Sequence, residues 1–484
     1  MGVSKKDCLF MGWKMLILGL LFPILFGFII SLLISPQIAI LERIALAYGL
    51  GYGLLTLGMF LLNVLGIEFS LLNTIVLLSG ILILSLVYLK RKNRFGYSSL
   101  RRLNPIPRKK LIRVPLSAFE KIIIALLLFF AITNVIIALY WPVRNFDPVT
   151  TYDFRARAFV QTKSIPEAAQ QMRYSLFLPH YATSVFTYPP MTSLVHTWLY
   201  LSGWNNPKIF YPLLLISLAT MFYFCLRDYS PRYHCLLFTL ILMTIPLMYE
   251  HATSAYTNFP FAFYFSVGTL YLYRWMLTQR RGFLALASLL LGLSSWVRRE
   301  SLLFFLGYLV ILVVYSVPRR QFFAPLLFSL LYLSIEFLWG IYTLNVLHIR
   351  SAVAIPDFLE ALRRWYEVFD FMRWKGVAML LWVKLADFRI LLFLSIPVVF
   401  LYLDKIREHL FLFLLVLSNL LLFGAGTYFF VTLHGWRGFA DAPSRLFMMF
   451  LPVVCYFVAL ITTERSFVPE QSLANGSSQA ENAA

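Results

Sequence analysis

Apolar runs long enough to cross a lipid bilayer recur along this chain and restrict what it can fold into. A helix needs roughly 20 apolar residues to span a hydrocarbon core of about 30 Å. Runs of that order lie at 11–34, 43–65, 70–89, 119–142, 208–226, 233–249, 258–277, 282–298, 301–317, 322–346, 387–403, 409–431 and 446–462. Within lipid, backbone polar groups must be satisfied by the protein itself, which leaves helices or closed barrels. The runs are continuous rather than alternating, which excludes a barrel. The expected fold class is all-α, a polytopic transmembrane protein with about 13 spans. Charged residues make up only 13% of the 484 residues, about half the share of an average soluble domain.

The net charge of +20 does not point to nucleic acid, because the excess Lys and Arg lie in short loops, as the positive-inside bias demands. From Lys90 to Arg113 the chain is rich in Lys and Arg and has no acid. That marks 90–118 as a cytoplasmic loop between an N-terminal three-span segment, 1–89, and a membrane core, 119–462. The tail 463–484 is small and polar and is expected to be disordered. Cys8, Cys225, Cys235 and Cys455 have no metal-ligand spacing and read as small packing residues. No cleavable signal peptide is evident.

With 90–118 inside, the span 119–142 delivers Asp147 to the outside. The apolar stretch Met191 to Trp204 is too short to cross, reaching about 21 Å as a helix. It is expected to lie in the outer interface within a large outward loop, 143–207. Arg227, Arg232, Arg280, Arg281, Arg319, Arg320, Lys405, Arg407 and Arg465 then fall inside. The remaining outward loops are 250–257, 298–301, 347–386 and 432–445, and the N-terminus faces outward.

The chemistry-bearing residues gather in these outward loops. Asp147 stands just past a span, followed by Pro148. It is either a partly desolvated general base or the N-cap of a helix starting near Thr150. Asp153 is four residues before Arg157, a spacing that favours a structural salt bridge on a helix, with substrate contact the alternative. Arg155 and Arg157 share an amphipathic segment expected to lie flat on the membrane, holding lipid head groups or one phosphate. Tyr188-Pro189-Pro190 stiffens the entry to the short helix, on which His196 reads as a packed histidine. Glu250 and His251 are adjacent and point apart on a helix, which disfavours a metal. Asn258 caps the next span or bonds a sugar hydroxyl. Arg298 and Arg299 are placed to clamp a phosphate, with an internal pair to Glu300 as the alternative. Arg437, Asp441 and Arg445 close the set, one arginine being a second phosphate candidate.

In order, these motifs resemble those of the GT-C membrane glycosyltransferases, most closely the bacterial branch related to protein O-mannosyltransferases and the lipid A aminoarabinose transferase. The resemblance rests on Phe146-Asp147, the segment Phe154 to Phe159, Tyr188-Pro189-Pro190, Tyr256 to Pro260, Arg298-Arg299-Glu300 and Arg445. It runs over roughly 116–462. Asn258 stands where the family usually has an acid, and the first three spans have no counterpart at that place. The resemblance implies a polyprenyl-phosphate sugar donor and an inverting transfer to a lipid, glycan or protein acceptor. Asp147 would be the general base, and arginines would meet the leaving phosphate. A multi-pass protein of the plasma (inner) membrane follows, with no cofactor specified and a divalent metal left open without support. The competing readings are a lipid or solute transporter, whose paired halves are not seen here, and a non-catalytic assembly partner.

Overall fold

The computed structural model describes residues 5–92, 115–175, 185–349, 370–385, 388–434 and 442–463. Most of the basic loop expected at 90–118, much of the loop 347–386, Arg437, Asp441 and the tail beyond Thr463 lie outside them. Every regular element among the described residues is helical.

Three long helices come first: α1 (Lys5–Ile34), α2 (Ile40–Val64) and α3 (Leu71–Arg91). Helix α4 (Ala118–Tyr140) follows, started by a capping box in which Ser117 and Glu120 satisfy each other's backbone. A π turn, Pro148–Asp153, then runs into α5 (Phe154–Thr162), followed by α6 (Ile165–Ser175) and α7 (Met191–Leu201). The middle of the chain forms α8 (Phe210–Arg227), α9 (Arg232–Thr244), α10 (Pro246–His251), α11 (Asn258–Thr278), α12 (Arg281–Val297), α13 (Ser301–Ser316) and α14 (Phe323–Asn345). The rest comprises α15 (Phe371–Lys384), α16 (Arg389–Leu401), α17 (Leu403–Glu408), α18 (Leu410–His434), α19 (Ala442–Met448) and α20 (Leu451–Ile461).

Seven of these helices are long and apolar enough to cross a membrane: those built on α1, α2, α3, α4, α8, α14 and α18. The chain is therefore a multi-pass helical membrane protein. Four more, α9, α12, α13 and α20, are apolar but shorter. The run expected as a single span at 233–249 is divided. Pro246 cannot continue the ladder of α9 and opens α10 instead, with Ile245 at φ −59°, ψ 118° between them.

Helix α11 is long but rich in Tyr, Thr and Ser, and it is buried without a break from Asn258 to Met276. A helix enclosed by protein on every side meets no lipid, so its sequence need not be uniformly apolar. Around it, one continuous apolar cluster joins α1 and α2 to the later helices. At one end of the bundle Arg274 of α11 ties three elements together, pairing with Glu42 of α2 at 2.5 Å and with Asp228 after α8 at 2.6 Å.

Two short helices sit differently from expectation. Helix α7 is enclosed by protein: Met191 to Leu199 are all buried, and Trp198 Nε1 donates to the Gly19 carbonyl of α1 at 2.7 Å. Helix α5 likewise turns Arg155, Ala156, Ala158 and Phe159 into protein. A stretch too short to cross can still be covered by neighbouring helices, and here it is.

Helices α1 and α2 cross where Gly27 meets Gly51. A Cβ on Gly51 would run into the Pro23 carbonyl, and one on Gly27 into the Ala47 carbonyl. Small residues allow such close backbone approach in membrane helices. Gly51→Ala is expected to cost about 1–3 kcal/mol through overpacking. Thermal unfolding in detergent checks this; an unchanged Tm would show that the two helices separate without penalty.

Candidate functional site

The candidate site is assembled at the end of the bundle where α4 leaves its span. Asn206 donates through Nδ2 to the carbonyls of Ala138, Leu139 and Trp141 at 3.1, 3.3 and 2.9 Å, closing the C-terminus of α4. Asn145 takes a left-handed φ of 78°, a conformation Asn tolerates better than most residues. That turn sets Phe146 and Asp147 ahead of the π turn opened by Pro148.

The Asp147 side chain makes no N-cap hydrogen bond. Its carboxylate instead accepts from Arg445 Nη1 at 2.9 Å, 298 positions away in sequence. The Asp147 side chain is therefore not a helix cap. The pair is accessible, with the Asp147 side chain 43% and that of Arg445 17% exposed. The Arg445 guanidinium also lies over the Tyr256 ring, 5.2 Å from its centroid.

Arg298 forms the other wall. Both Glu300 oxygens accept from it, Oε1 from Nη2 at 2.5 Å and Oε2 from Nε at 3.3 Å. Its Nη1 donates to Thr257 Oγ1 at 3.3 Å, and Thr257 donates onward to the Tyr152 hydroxyl at 3.2 Å. Tyr188 stands edge-on to Tyr152, with centroids 6.0 Å apart, and the Arg298 guanidinium is 5.9 Å from its ring centre. Burial raises the pKa of the Tyr188 phenol, and the charges of Arg298, Glu300, Asp147 and Arg445 all act on it as well. Arg445 lies over Tyr256 and Arg298 bonds the adjacent Thr257, so the two ion pairs flank one short stretch of chain. Burial works to raise the Glu300 pKa, but its pairing with Arg298 outweighs that and holds it below the ordinary carboxylate value.

Asn258 adjoins Thr257 and is buried, and its Oδ1 has no hydrogen-bond partner among the described residues. Arg299 turns away from the Arg298–Glu300 pair in one respect: the carboxylate of Glu336 on α14 acts on it more strongly than that of Glu300.

The remaining candidates are placed elsewhere. Arg155 is fully buried. It donates to the carbonyls of Val185, Tyr188 and Pro189 at 3.1, 2.8 and 2.9 Å, and to Ser193 Oγ at 2.8 Å. This corrects the expectation that it meets head groups or a phosphate: it holds the turn that presents Tyr188. Arg157 Nε pairs with Asp153 Oδ2 at 2.9 Å, as their spacing suggests, and the Arg157 side chain is 63% exposed. Asp153 also accepts from Tyr200 at 2.6 Å and contacts His196 Nδ1 at 3.1 Å, while His196 Nε2 meets the Tyr211 hydroxyl at 2.9 Å. This network braces α5 against α7 and α8 and is separate from Asp147.

Burial acts to raise the Asp153 pKa, but the His196, Tyr200 and Arg157 contacts win and lower it from 3.8 to about 2. A depressed carboxylate contributes stability above its unfolded pKa and loses it as pH falls through the folded one. The Tm gap between wild type and Asp153→Asn is therefore expected to close as pH falls from 3.8 to about 2. A gap constant with pH would reject the role assigned to this network.

Among the described residues, no three His, Cys, Asp or Glu side chains gather as a metal-binding group. Comparison with known protein families, curated proteins and solved structures finds no match.

Proposed function

We propose that the protein is a membrane glycosyltransferase with a GT-C-like core that moves a sugar from a polyprenyl-phosphate donor to an acceptor on the extracytoplasmic face. The carrying observation is an accessible carboxylate, Asp147, held by Arg445 from the far end of the chain, with Arg298 bonded to Thr257 beside the Tyr256 ring that Arg445 covers. An accessible acid paired with an arginine suits the reaction's charge changes: a proton leaves the acceptor, and negative charge grows on a leaving phosphate.

In this reading the donor phosphate competes with Asp147 for Arg445. Its arrival draws the guanidinium onto the phosphate oxygens and frees the carboxylate. Asp147 then takes the proton of an acceptor hydroxyl as its oxygen attacks the anomeric carbon. The bond from that carbon to the phosphate oxygen breaks, and polyprenyl phosphate departs with the electron pair, its charge met by Arg445 and Arg298. Attack opposite the leaving group inverts the anomeric centre. A retaining path needs a second carboxylate as nucleophile. The one at hand, Glu300, has both oxygens engaged by Arg298. Asn258 Oδ1, buried and unmatched, suits a sugar hydroxyl as hydrogen-bond donor.

The test is direct. Purified protein is incubated with a panel of polyprenyl-phosphate sugars and extracts carrying lipid, glycan and protein acceptors. At least one donor should yield free polyprenyl phosphate and an inverted product. If no sugar leaves any donor, the reading fails.

A further inference from the structure

A second cationic cluster lies at the same end of the bundle. Lys208 is 2% exposed. Its Nζ donates to the Thr253 carbonyl at 3.2 Å, which occupies one of the three donors of an ammonium group. Asn206, by donating to the last carbonyls of α4, fastens this turn to the chain that continues into Arg144. The Arg144 charge acts on Lys208, and its guanidinium lies over the Trp141 ring, 4.9 Å from the centroid. Neither cation has a salt-bridge partner among the described residues.

Removing an ammonium from water without a counter-ion costs several kcal/mol, and a second cation alongside adds repulsion. The N-terminus of α8 begins two residues after Lys208, and its dipole is also positive at that end. Asn206 has already quenched the opposing carbonyls of α4. Both side chains and the helix end therefore carry positive charge.

We propose that Arg144 and Lys208 form a binding site for the phosphate of an anionic lipid headgroup. Depth selects a lipid as the source. Tyr140 and Trp141 are exposed at the end of a membrane-crossing helix, where interfacial aromatics mark headgroup level. A phosphate there offers one oxygen to the free donors of Lys208 and others to the Arg144 fork. The site is carried by different side chains from those around Asp147 and does not rest on the transferase reading.

The experiment uses the full-length protein in detergent. Its Tm is followed on titration with phosphatidylglycerol, phosphatidylcholine or inorganic phosphate. Phosphatidylglycerol is expected to raise Tm and phosphatidylcholine to leave it unchanged. Arg144→Gln and Lys208→Met should each weaken the apparent affinity for phosphatidylglycerol roughly fivefold or more, one interfacial charge each. Without lipid, Lys208→Met should unfold at or above the wild-type temperature, because it removes a buried, uncompensated charge. Arg298→Gln should keep the phosphatidylglycerol shift, which separates this site from the Asp147 cluster. Equal shifts with both lipids, an equal shift with inorganic phosphate, or full retention of the shift in Arg144→Gln would each overturn the proposal.

Discussion

Asp147→Asn is expected to lower sugar transfer by about 10²–10⁴-fold, the usual contribution of a general base, with Tm nearly unchanged. The amide keeps the shape of the carboxylate and can still accept from Arg445 through its oxygen. It cannot take a proton. The side chain is 43% exposed, so the pair with Arg445 contributes little to stability once solvent screening is counted. Activity and Tm therefore separate in this variant. Transfer at the wild-type rate by well-folded Asp147→Asn protein would remove the general-base role. It would leave the Asp147–Arg445 pair as a structural contact between distant parts of the chain.

The second large effect is on folding. Arg155→Met should destabilise the protein by at least about 1–3 kcal/mol, because it strips buried acceptors of their donor. Three backbone carbonyls, those of Val185, Tyr188 and Pro189, lose their donor, as does Ser193 Oγ. Each buried acceptor left unmatched costs about 1–3 kcal/mol. Arg155 also lies against the rings of Phe186 and Trp339, with centroid distances of 5.9 and 6.0 Å. Arg155→Lys should restore little, because one compact ammonium cannot reach acceptors spread over a planar fork. The readout is Tm together with the yield of monodisperse protein. A Tm within a degree of wild type would show that the turn carrying Tyr188 is held by something else.

The site was partly legible in the sequence, and the reason is physical. Arginines in loops expected outside run against the positive-inside bias, so Arg298 and Arg445 stand out with the acids Asp147 and Glu300, and the structure pairs Asp147 with Arg445 and Glu300 with Arg298. Arg155 and Arg157 could not be told apart by composition. Two residues along a helix turn the side chain to nearly the opposite face, and which face meets protein depends on α7 and the 185–190 turn. Tyr152 went unrecognised, and Tyr256 and Thr257 entered only within the Tyr256–Pro260 motif, because a hydroxyl or ring carries no signal in a chain with 27 Tyr and 46 Phe. Thr257 had one clue, its place beside Asn258 at a span entrance. The helical membrane class followed directly from run length. The break at Pro246 was readable, since proline cannot continue a helical ladder. The burial of α7 was not, because length alone cannot show what other helices cover.

The contact between Asp147 and Arg445 also bears on biogenesis. Chains are made from the N-terminus at about 5–20 residues per second, so at that pace roughly 15–60 seconds separate the appearance of the carboxylate from that of its guanidinium partner 298 positions later. Throughout that interval the acid waits at the membrane surface without its counter-charge. A chain that stops before position 445 lacks the guanidinium that pairs with Asp147, however well the earlier helices have inserted.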